Sequence, residues 1–241
     1  MQTRNITKGS LLLAGCLLAG TSAHAQAMIA LLFGGKITNP RLEMGLQLAL
    51  HESFITNTPG IPRSALGIGT YLDYKTKRPG KWMLSAYITF KAPKGMSKLP
   101  VSYSLNPGLD TLTGAHINRG VTYFSLTPLA RYNVNRSFSI GFGPEVGFKT
   151  LSRDKYTREG DDGLITYTVK TKHDFSTADL GLALDFQYRL MKGKGLRLNA
   201  RYVQGITNMY KSSAPFSGLN CLVHLGVGIR MGHAPAPVPT M

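Results

Sequence analysis

The sequence predicts an all-β protein: an eight-stranded antiparallel up-and-down transmembrane β-barrel with short periplasmic turns and long extracellular loops. Three observations support this. Apolar residues alternate with small or polar residues at period two in successive segments, which is the pattern of strands with two different faces. The connections alternate between short and long, as in outer-membrane barrels. Of the 241 residues 43% are hydrophobic and 17% are charged, which excludes a disordered chain.

The N-terminus has the features of an export signal. Arg4 and Lys8 supply positive charge, Leu11 to Gly20 form a short apolar stretch, and Ala23-His24-Ala25 offers a small-x-small cleavage site. An apolar stretch of this length is too short to span a bilayer as a helix. We therefore predict that residues 1–25 are a secretory signal peptide.

A second interpretation of the N-terminus remains open at this point. Leu13-Ala14-Gly15-Cys16 resembles a lipobox, in which Cys16 would carry a lipid. Under the signal-peptide interpretation Cys16 is removed, and Cys221 keeps no intrachain cysteine partner. A lone thiol in an exported chain indicates a buried or lipid-facing cysteine.

Eight segments have the alternation expected of strands with one apolar face. No segment keeps a convincing helical period. The clear cases span residues 42–51, 82–90, 138–149, 179–189 and 220–231, and weaker cases span residues 65–75, 120–133 and 195–209. We predict one barrel domain over residues 26–232, followed by an irregular, Pro- and Ala-rich tail over 233–241.

The predicted connections differ in length at the two ends of the barrel. A strictly alternating arrangement places all long connections on one side of a membrane. The longer connections span residues 55–64, 92–119, 150–177 and 211–218, and the shorter ones span 76–81, 133–136 and 192–194. We expect the loops 92–119 and 150–177 to face the exterior.

Charged residues occur on the faces opposite the apolar ones, among many glycines. A soluble barrel would place its apolar face inward, whereas a membrane barrel places it toward lipid. Small residues leave room for long charged side chains in a narrow lumen, where unpaired charges are costly. The alternative is a solvated outer face on a secreted sandwich. The predicted structural network in the lumen consists of Glu43, Arg131, Glu145, Asp179, Asp185, Arg189, Arg197, Arg201, His224 and Arg230.

Aromatic residues mark the ends of several predicted strands, as in the aromatic girdles of membrane barrels. Several short strings then resemble the PorT-like, or porin-family, outer-membrane β-barrel proteins. The resemblance implies an eight-stranded barrel in a Gram-negative outer membrane and admits a part in secretion or envelope assembly. The strings are Leu31 to Lys36 with Leu42 to Leu46, Ala65 to Tyr71, Leu126 to Tyr132, and Arg201 to Asn208.

The motif search predicts no catalytic, cofactor-binding or metal-binding residues. His51-Glu52-Ser53 has the residue types of a hydrolase triad, but three consecutive strand residues cannot point to one face. An acidic loop has the residue types of a calcium site but lacks EF-hand spacing, so a solvated loop tip is preferred. That loop carries Asp154, Glu159, Asp161 and Asp162.

The net charge is +16, from 28 Lys and Arg against 12 Asp and Glu. The basic residues are scattered rather than gathered in an aromatic-interleaved stripe, so we predict no nucleic-acid partner. Basic residues at the barrel rims are expected to meet anionic lipid head groups, including lipopolysaccharide. Envelope or secretion-machinery proteins are the other expected partners.

The sequence therefore predicts a non-enzymatic outer-membrane barrel with a structural, interaction or envelope-associated role. Two alternatives remain at this point, a narrow solute channel and a lipid-modifying outer-membrane enzyme. An interior filled by paired charges favours the structural role over the channel.

Overall fold

The computed structural model describes residues 41–76, 81–106, 108–110, 112–160, 163–193 and 196–231. The predicted signal peptide, Cys16 and the predicted tail lie outside these residues. Within them, no helix is both long and apolar enough to cross a membrane. The strands are β1 Leu42–Ile55, β2 Ile61–Lys75, β3 Trp82–Pro100, β4 Ala115–Asn133, β5 Phe138–Gly160, β6 Gly163–Lys170, β7 Ala178–Arg189, β8 Arg197–Asn208 and β9 Leu219–Met231.

Eight of these strands close into a ring of antiparallel pairs, in the order β1-β2-β3-β4-β5-β7-β8-β9. The pairing of β1 with β9 closes the ring, and Met44 opposes Met231 at the start of that ladder. The ninth strand, β6, pairs with the outer part of β5 alone and stands outside the ring as half of a hairpin. The predicted eight-stranded up-and-down barrel is confirmed, with one strand added.

The strands are longer than predicted at the long-loop end. The predicted loop 92–119 is mostly strand, because β3 runs to Pro100 and β4 starts at Ala115, leaving residues 101–114 as the connection. The predicted loop 150–177 is likewise corrected to the β5–β6 hairpin and a short link. The predicted loop 55–64 shortens to five residues, 56–60. These stretches carry many polar residues because one of their faces meets water, so they lack the apolar outer face sought in the sequence.

The ring is apolar outside in the part between the short-turn end and the long-loop end. Leu48, Leu84, Leu184 and Leu225 are 57%, 56%, 39% and 54% exposed, although they lie in mid-strand. Aromatic side chains border this surface on the short-turn side, where Trp82 and Tyr132 form an edge-on pair 5.1 Å apart. At the other border the ring centroids of Phe90 and Phe124 lie 6.3 Å apart. An apolar belt between two aromatic borders is the outer surface expected of a membrane barrel.

Above the belt the ends of β3, β4 and β5, together with β6 and the connections 101–114, 171–177 and 209–218, form what we call the cap. Its interior is apolar: Leu99, Ile117, Phe175 and Met209 are fully buried. Aromatic side chains from the connections complete this core, with Tyr103 stacked on Phe216 at a centroid distance of 5.0 Å. The connections 101–114 and 209–218 therefore fold over the open end of the barrel.

The short-turn end contains one feature that alternation did not predict. The connection between β7 and β8 starts with a single helical turn, α1, at Leu190–Gly193. It begins two residues before the predicted turn 192–194. This turn does not alter the barrel register.

Candidate functional site: the lumen charge column

Charged side chains fill the barrel interior in successive layers, beginning at the short-turn end. Asp73 on β2 is fully buried and accepts two arginines. Its Oδ2 lies 2.9 Å from Arg189 Nη2 and 2.5 Å from Arg197 Nη1. Arg197 also pairs with Glu43 and places its guanidinium 3.9 Å from the centroid of the Tyr71 ring. The lowest layer therefore joins strands β1, β2, β7 and β8.

The middle layer is built around Asp185 on β7. Its Oδ1 lies 2.6 Å from Arg131 Nη2, and its Oδ2 lies 3.1 Å from Arg201 Nε. A serine connects this layer to the one below. Arg131 Nε donates to Ser85 Oγ at 3.0 Å, and Ser85 donates to Asp73 Oδ1 at 2.6 Å. The two layers therefore form one continuous network.

The upper layer has a lysine at its centre. Lys94 Nζ lies 2.9 Å from Glu145 Oε1 and 2.8 Å from Asp179 Oδ2, and its side chain is 2% exposed. Thr127 links this layer to the middle one, because its hydroxyl donates to Glu145 Oε2 at 3.1 Å and accepts from Arg201 Nη1 at 3.5 Å. One polar column thus extends from Glu43 to Asp179.

A branch of histidine and amide side chains joins the column. His224 on β9 is buried, with Nδ1 3.0 Å from His51 Nε2 and Nε2 3.0 Å from Gln47 Nε2. Gln47 donates to Asn199 Oδ1 at 2.6 Å, and Asn199 donates to Asp185 Oδ2 at 3.2 Å. The branch connects β1 and β9 to the charged column through hydrogen bonds.

Two glycines make room for this histidine pair. A methyl group at Gly67 would overlap the His51 ring, and one at Gly226 would overlap His224, Asn199 and Gln47. The strand loses side-chain packing at a glycine, but here the vacated space holds an inward-pointing polar side chain. Lumen glycines and long polar side chains are therefore complementary parts of one packing arrangement.

The cap contains its own ion pair, separate from the column. Arg119 on β4 donates to Asp154 on β5 from Nε at 3.1 Å and from Nη2 at 2.6 Å, and both side chains are fully buried. The remaining guanidinium donors reach the Tyr210 hydroxyl and the Tyr103 carbonyl, each at 2.8 Å. This fork-shaped arrangement fixes two connections of the cap to the strand pair below them.

The network differs from its sequence-based form in four respects. Glu145 and Asp179 pair with Lys94, whereas arginine partners were expected. Asp73, which joins two arginines, was missed on a weakly alternating strand. Arg119 and Asp154 were missed because they fall in predicted loops. Of the predicted members, Arg230 lies at the open lower end and makes none of the ion pairs found among the described residues.

The charges of the column balance, and this determines what the column does. Its ion-paired members are five acids and five bases. All of these side chains except Glu43 and Arg189 are almost completely removed from water, so an unpaired member among them would carry a desolvation cost of several kcal/mol. The column therefore cross-links strands from opposite sides of the ring and occupies the lumen. These paired members are Glu43, Asp73, Glu145, Asp179 and Asp185 with Lys94, Arg131, Arg189, Arg197 and Arg201.

The fold separates the residues of one other chemical candidate, His51-Glu52-Ser53, and pairs one residue of the second, the acidic loop. His51 and Ser53 face the lumen, and the Ser53 hydroxyl donates to the Gly95 carbonyl at 3.1 Å. Glu52 lies on the opposite face of β1 and accepts from Ser64. Of the acidic loop, Asp154 is held by Arg119, while Asp161 and Asp162 lie outside the described residues. Within the described residues no group of three metal-binding side chains occurs.

The sequence profile of a family described as outer membrane protein beta-barrel domain matches residues 41–211. The chain belongs to this family. Its localisation is accordingly the outer membrane, so the short-turn end of this barrel domain is periplasmic and the cap is extracellular. The match includes all ten ion-paired residues of the column but not His224 on β9.

Solved structures that are similar to this chain include the attachment invasion locus protein Ail of Yersinia pestis, at 12% identity. That alignment covers 80% of this chain and 100% of Ail, with a TM-score of 0.41. Neisserial surface protein A matches at 9% identity, covering 80% and 97% of the two chains with a TM-score of 0.39. The N-terminal barrel of Pseudomonas aeruginosa OprF matches at 9% identity, covering 78% and 97%, with a TM-score of 0.31. The comparison with curated proteins gives no match.

Proposed function

We propose that this barrel is a non-enzymatic outer-membrane protein with a structural or interaction role, which presents its cap outside the cell. The observation that carries the proposal is the balanced charge column, whose layers join strands across the ring. An eight-stranded barrel is only just wide enough to be filled by side chains. A lumen occupied in this way favours a scaffold over a passage for solutes.

Conductance in planar bilayers tests the scaffold against the channel. The purified barrel is expected to give no steady single-channel conductance. The Asp185→Ala variant is the comparison that is expected to conduct more, because it removes the shared partner of Arg131 and Arg201 and opens space in the middle layer. A large, steady conductance from the unmodified protein would contradict the scaffold role and favour the channel.

The absence of enzymatic activity is part of the proposal and has its own test. The separation of Glu52 from His51 and Ser53 supports it. Lipid A from cells with and without the protein is expected to have the same mass spectrum. Loss or gain of an acyl chain or a head-group substituent in cells that contain the protein would support the lipid-modifying alternative.

We propose further that residues 1–25 are a cleaved signal peptide, that 26–232 form the mature barrel domain and that 233–241 are an irregular tail. The intact mass of the protein from outer membranes is expected to correspond to a chain starting at Gln26. A mass corresponding to a lipid-bearing chain starting at Cys16 would support the lipobox interpretation. The folded protein should also migrate faster on a gel before boiling than after boiling.

The proposed partners are outer-membrane lipids, including lipopolysaccharide, and envelope or secretion-machinery proteins of the kind that the PorT-like resemblance implies. The cap offers the surface for protein partners, because it is the part of the barrel that projects beyond the apolar belt. Crosslinking in intact cells, followed by purification of the barrel, is expected to capture an envelope protein through cap residues. Capture through the periplasmic turns alone would place the interaction on the other side of the membrane.

A further inference from the structure

A basic groove of about 620 Å³ lies between the outer wall of the cap and the start of β2, and the lumen network does not use it. Three cations line it: Arg63 from β2, and Arg153 and Lys155 from β5. Asn118, Thr166 and Thr168 add neutral amide and hydroxyl groups. No carboxylate is among the described residues that line this groove, and the Glu52 carboxylate at its edge accepts a hydrogen bond from the lining residue Ser64. The groove therefore combines concentrated positive charge with groups able to hydrogen-bond to a polar ligand.

The strand pairing brings these side chains to one face. Lys155 opposes Asn118 on β4 and Thr168 on β6, so the three residues lie side by side across the sheet. Arg153 directly opposes Lys170, an exposed residue on the edge strand. Like charges directly opposite each other in a strand pair are destabilising. An anion bound between the strands would offset this repulsion.

Arg63 reaches the groove from a neighbouring strand. Its Nη1 donates to the Arg119 carbonyl at 2.9 Å, and its guanidinium occupies the space that a side chain at Gly120 would fill. Burial, and then the nearby Arg153, hold the pKa of the Arg63 guanidinium below its ordinary value. The half-buried guanidinium thus lies beside a second cation and keeps part of its donor capacity for a ligand.

The height of the groove indicates where its ligand is anchored. On β5, Phe148 and Leu151 lie just below Arg153 and are 50% and 43% exposed. On β2, Leu66 follows Ser64 by two residues on the same face and is 70% exposed. The groove thus opens sideways at the upper border of the lipid-facing belt. Head groups of the outer leaflet lie at this level, whereas a soluble ligand would more readily meet the top of the cap.

We infer that this groove binds the phosphorylated saccharide head group of an outer-membrane glycolipid, of the lipid A class. The inference rests on the proposed role as an outer-membrane scaffold and deepens it by assigning one lipid partner to one site. Arg153 and Lys155 contact a phosphate, and Asn118, Thr166 and Thr168 contact sugar hydroxyls. Arginine and lysine are the side chains suited to phosphate, through fork-shaped and point-charge contacts respectively.

Native mass spectrometry of the full-length barrel in detergent tests this assignment with bisphosphorylated lipid A as the probe. The double variant Arg153→Ala/Lys155→Ala is expected to bind it roughly thirtyfold more weakly than the unmodified barrel, from about 1 kcal/mol for each basic residue near a lipid surface. With lipid A lacking both phosphates, the two proteins should bind equally. The milder Arg153→Gln variant should give a smaller loss in the same direction.

The matched control is Lys172→Ala/Lys211→Ala, which removes the same charge from exposed cap positions outside the groove. This control should bind bisphosphorylated lipid A within about twofold of the unmodified barrel, since bulk charge alone is screened beyond about 10 Å. Equal binding by the groove variant and the unmodified barrel would overturn the inference. So would tighter binding of soluble inositol hexakisphosphate than of lipid A, because that result would identify a site for soluble polyanions.

Folding and function are monitored separately from lipid binding. All variants should keep the faster gel mobility before boiling and should fractionate with the outer membrane. A groove variant that folds, fractionates normally and binds lipid A as before would refute this inference and leave the proposed scaffold role intact. A steady conductance from the unmodified barrel would refute the scaffold role and leave the lipid site to be judged by its own binding result.

Discussion

The membrane part of the barrel and the cap are opposite in the arrangement of their polar and apolar residues, although the same strands run through both. On β4 three of the inward residues of the lower part, Ser125, Thr127 and Arg131, are polar, and Leu129 is the apolar one between them. Further up the same strand, the inward residues Ile117 and Val121 are apolar and form part of the cap core. The outward face changes in the opposite sense, from Leu126 to Asn118.

This inversion follows from the medium around each part. In lipid, apolar side chains on the outer face do not meet water, so the interior need not be apolar. The closed ring satisfies the hydrogen-bonding groups of the strand backbones. In water, burying the apolar residues is what stabilises the cap. The two parts should therefore fail in different ways when their interiors or surfaces are changed.

The largest effect is expected from removing the centre of the charge column. Asp185→Ala leaves Arg131 and Arg201 without their shared carboxylate and should cost about 3–5 kcal/mol, because buried charges lose their compensation. The free energy of unfolding in urea, followed by the heat-dependent gel mobility, measures this cost. The neighbouring Leu184→Ala, which trims a lipid-facing side chain, is the control and should cost far less. Equal costs at the two positions would mean that the column contributes little to stability.

The next effect concerns the outer face of the membrane part. Leu225→Arg should cost about 2–4 kcal/mol near the middle of the bilayer, as for other barrels. Leu164→Arg on the β6 hairpin should change the stability very little. Leu164 is also exposed, at 61%, but it lies in the cap, where water rather than lipid surrounds it. Folding yield and unfolding in lipid vesicles compare the two variants.

Cysteine labelling sharpens the same comparison. A cysteine at Leu184 should react with a lipid-soluble reagent, whereas one at the fully buried Gln187 should not. Preferential labelling at Gln187 would show that the inner and outer faces of β7 have been assigned the wrong way round.

A smaller and local effect is expected in the cap core. Ile117→Val removes one methylene group from a fully buried position and should cost about 0.5–1.5 kcal/mol. Limited proteolysis should detect it as faster cleavage in the connections 101–114 and 209–218, with the gel mobility of the barrel unchanged. Ile165→Val makes the same change at a side chain that is 63% exposed and should leave the cleavage rate unaltered. A loss of barrel mobility in Ile117→Val would show that cap and barrel unfold as one unit.

The smallest effect is a pH dependence confined to the cap. Burial raises the pKa of Tyr156 and of Tyr210 above the ordinary value for tyrosine. Because the folded-state pKa is the higher one, this contribution to stability is complete below about pH 10 and is lost as pH rises through the folded-state pKa. Proteolysis of the cap should therefore quicken above about pH 10. Tyr156→Phe should reduce that dependence, and an unchanged dependence in this variant would exclude Tyr156 as a contributor.

The sequence by itself determined the strands whose alternation is unbroken. On β7 the period of two places Leu184 outward and Asp185 inward without any knowledge of the neighbouring strands. The same reasoning placed Glu43, Arg131 and Arg201 toward the lumen. A two-residue period suffices here because the side chains of these segments alternate between the two faces of the sheet without interruption.

Only the tertiary structure decided the orientation beyond the irregularities. On β3 the inward residues are Ser85, Tyr87 and Thr89, but above an irregularity in the pairing with β4 they are Ala92 and Lys94. An extra residue in a strand exchanges its inner and outer faces from that point on, and no local pattern marks it. The phase of β5 changes in the same way between Gly147 and Asp154. Lys94 and Asp154 lie in predicted loops, and extending the strand alternation into those loops would still have placed both side chains on the outer face.

The choice of partners in the lumen is also a property of the closed ring. Arg131 meets Asp185, 54 residues away along the chain, because closure brings β4 and β7 to the same interior height. Alternation determines which face a charge occupies, but not its neighbour across the barrel. That neighbour depends on the stagger of all eight strands together, since closure couples strand tilt to register. The sequence thus determined the strand faces, and the tertiary structure decided the ion pairs that occupy the space between them.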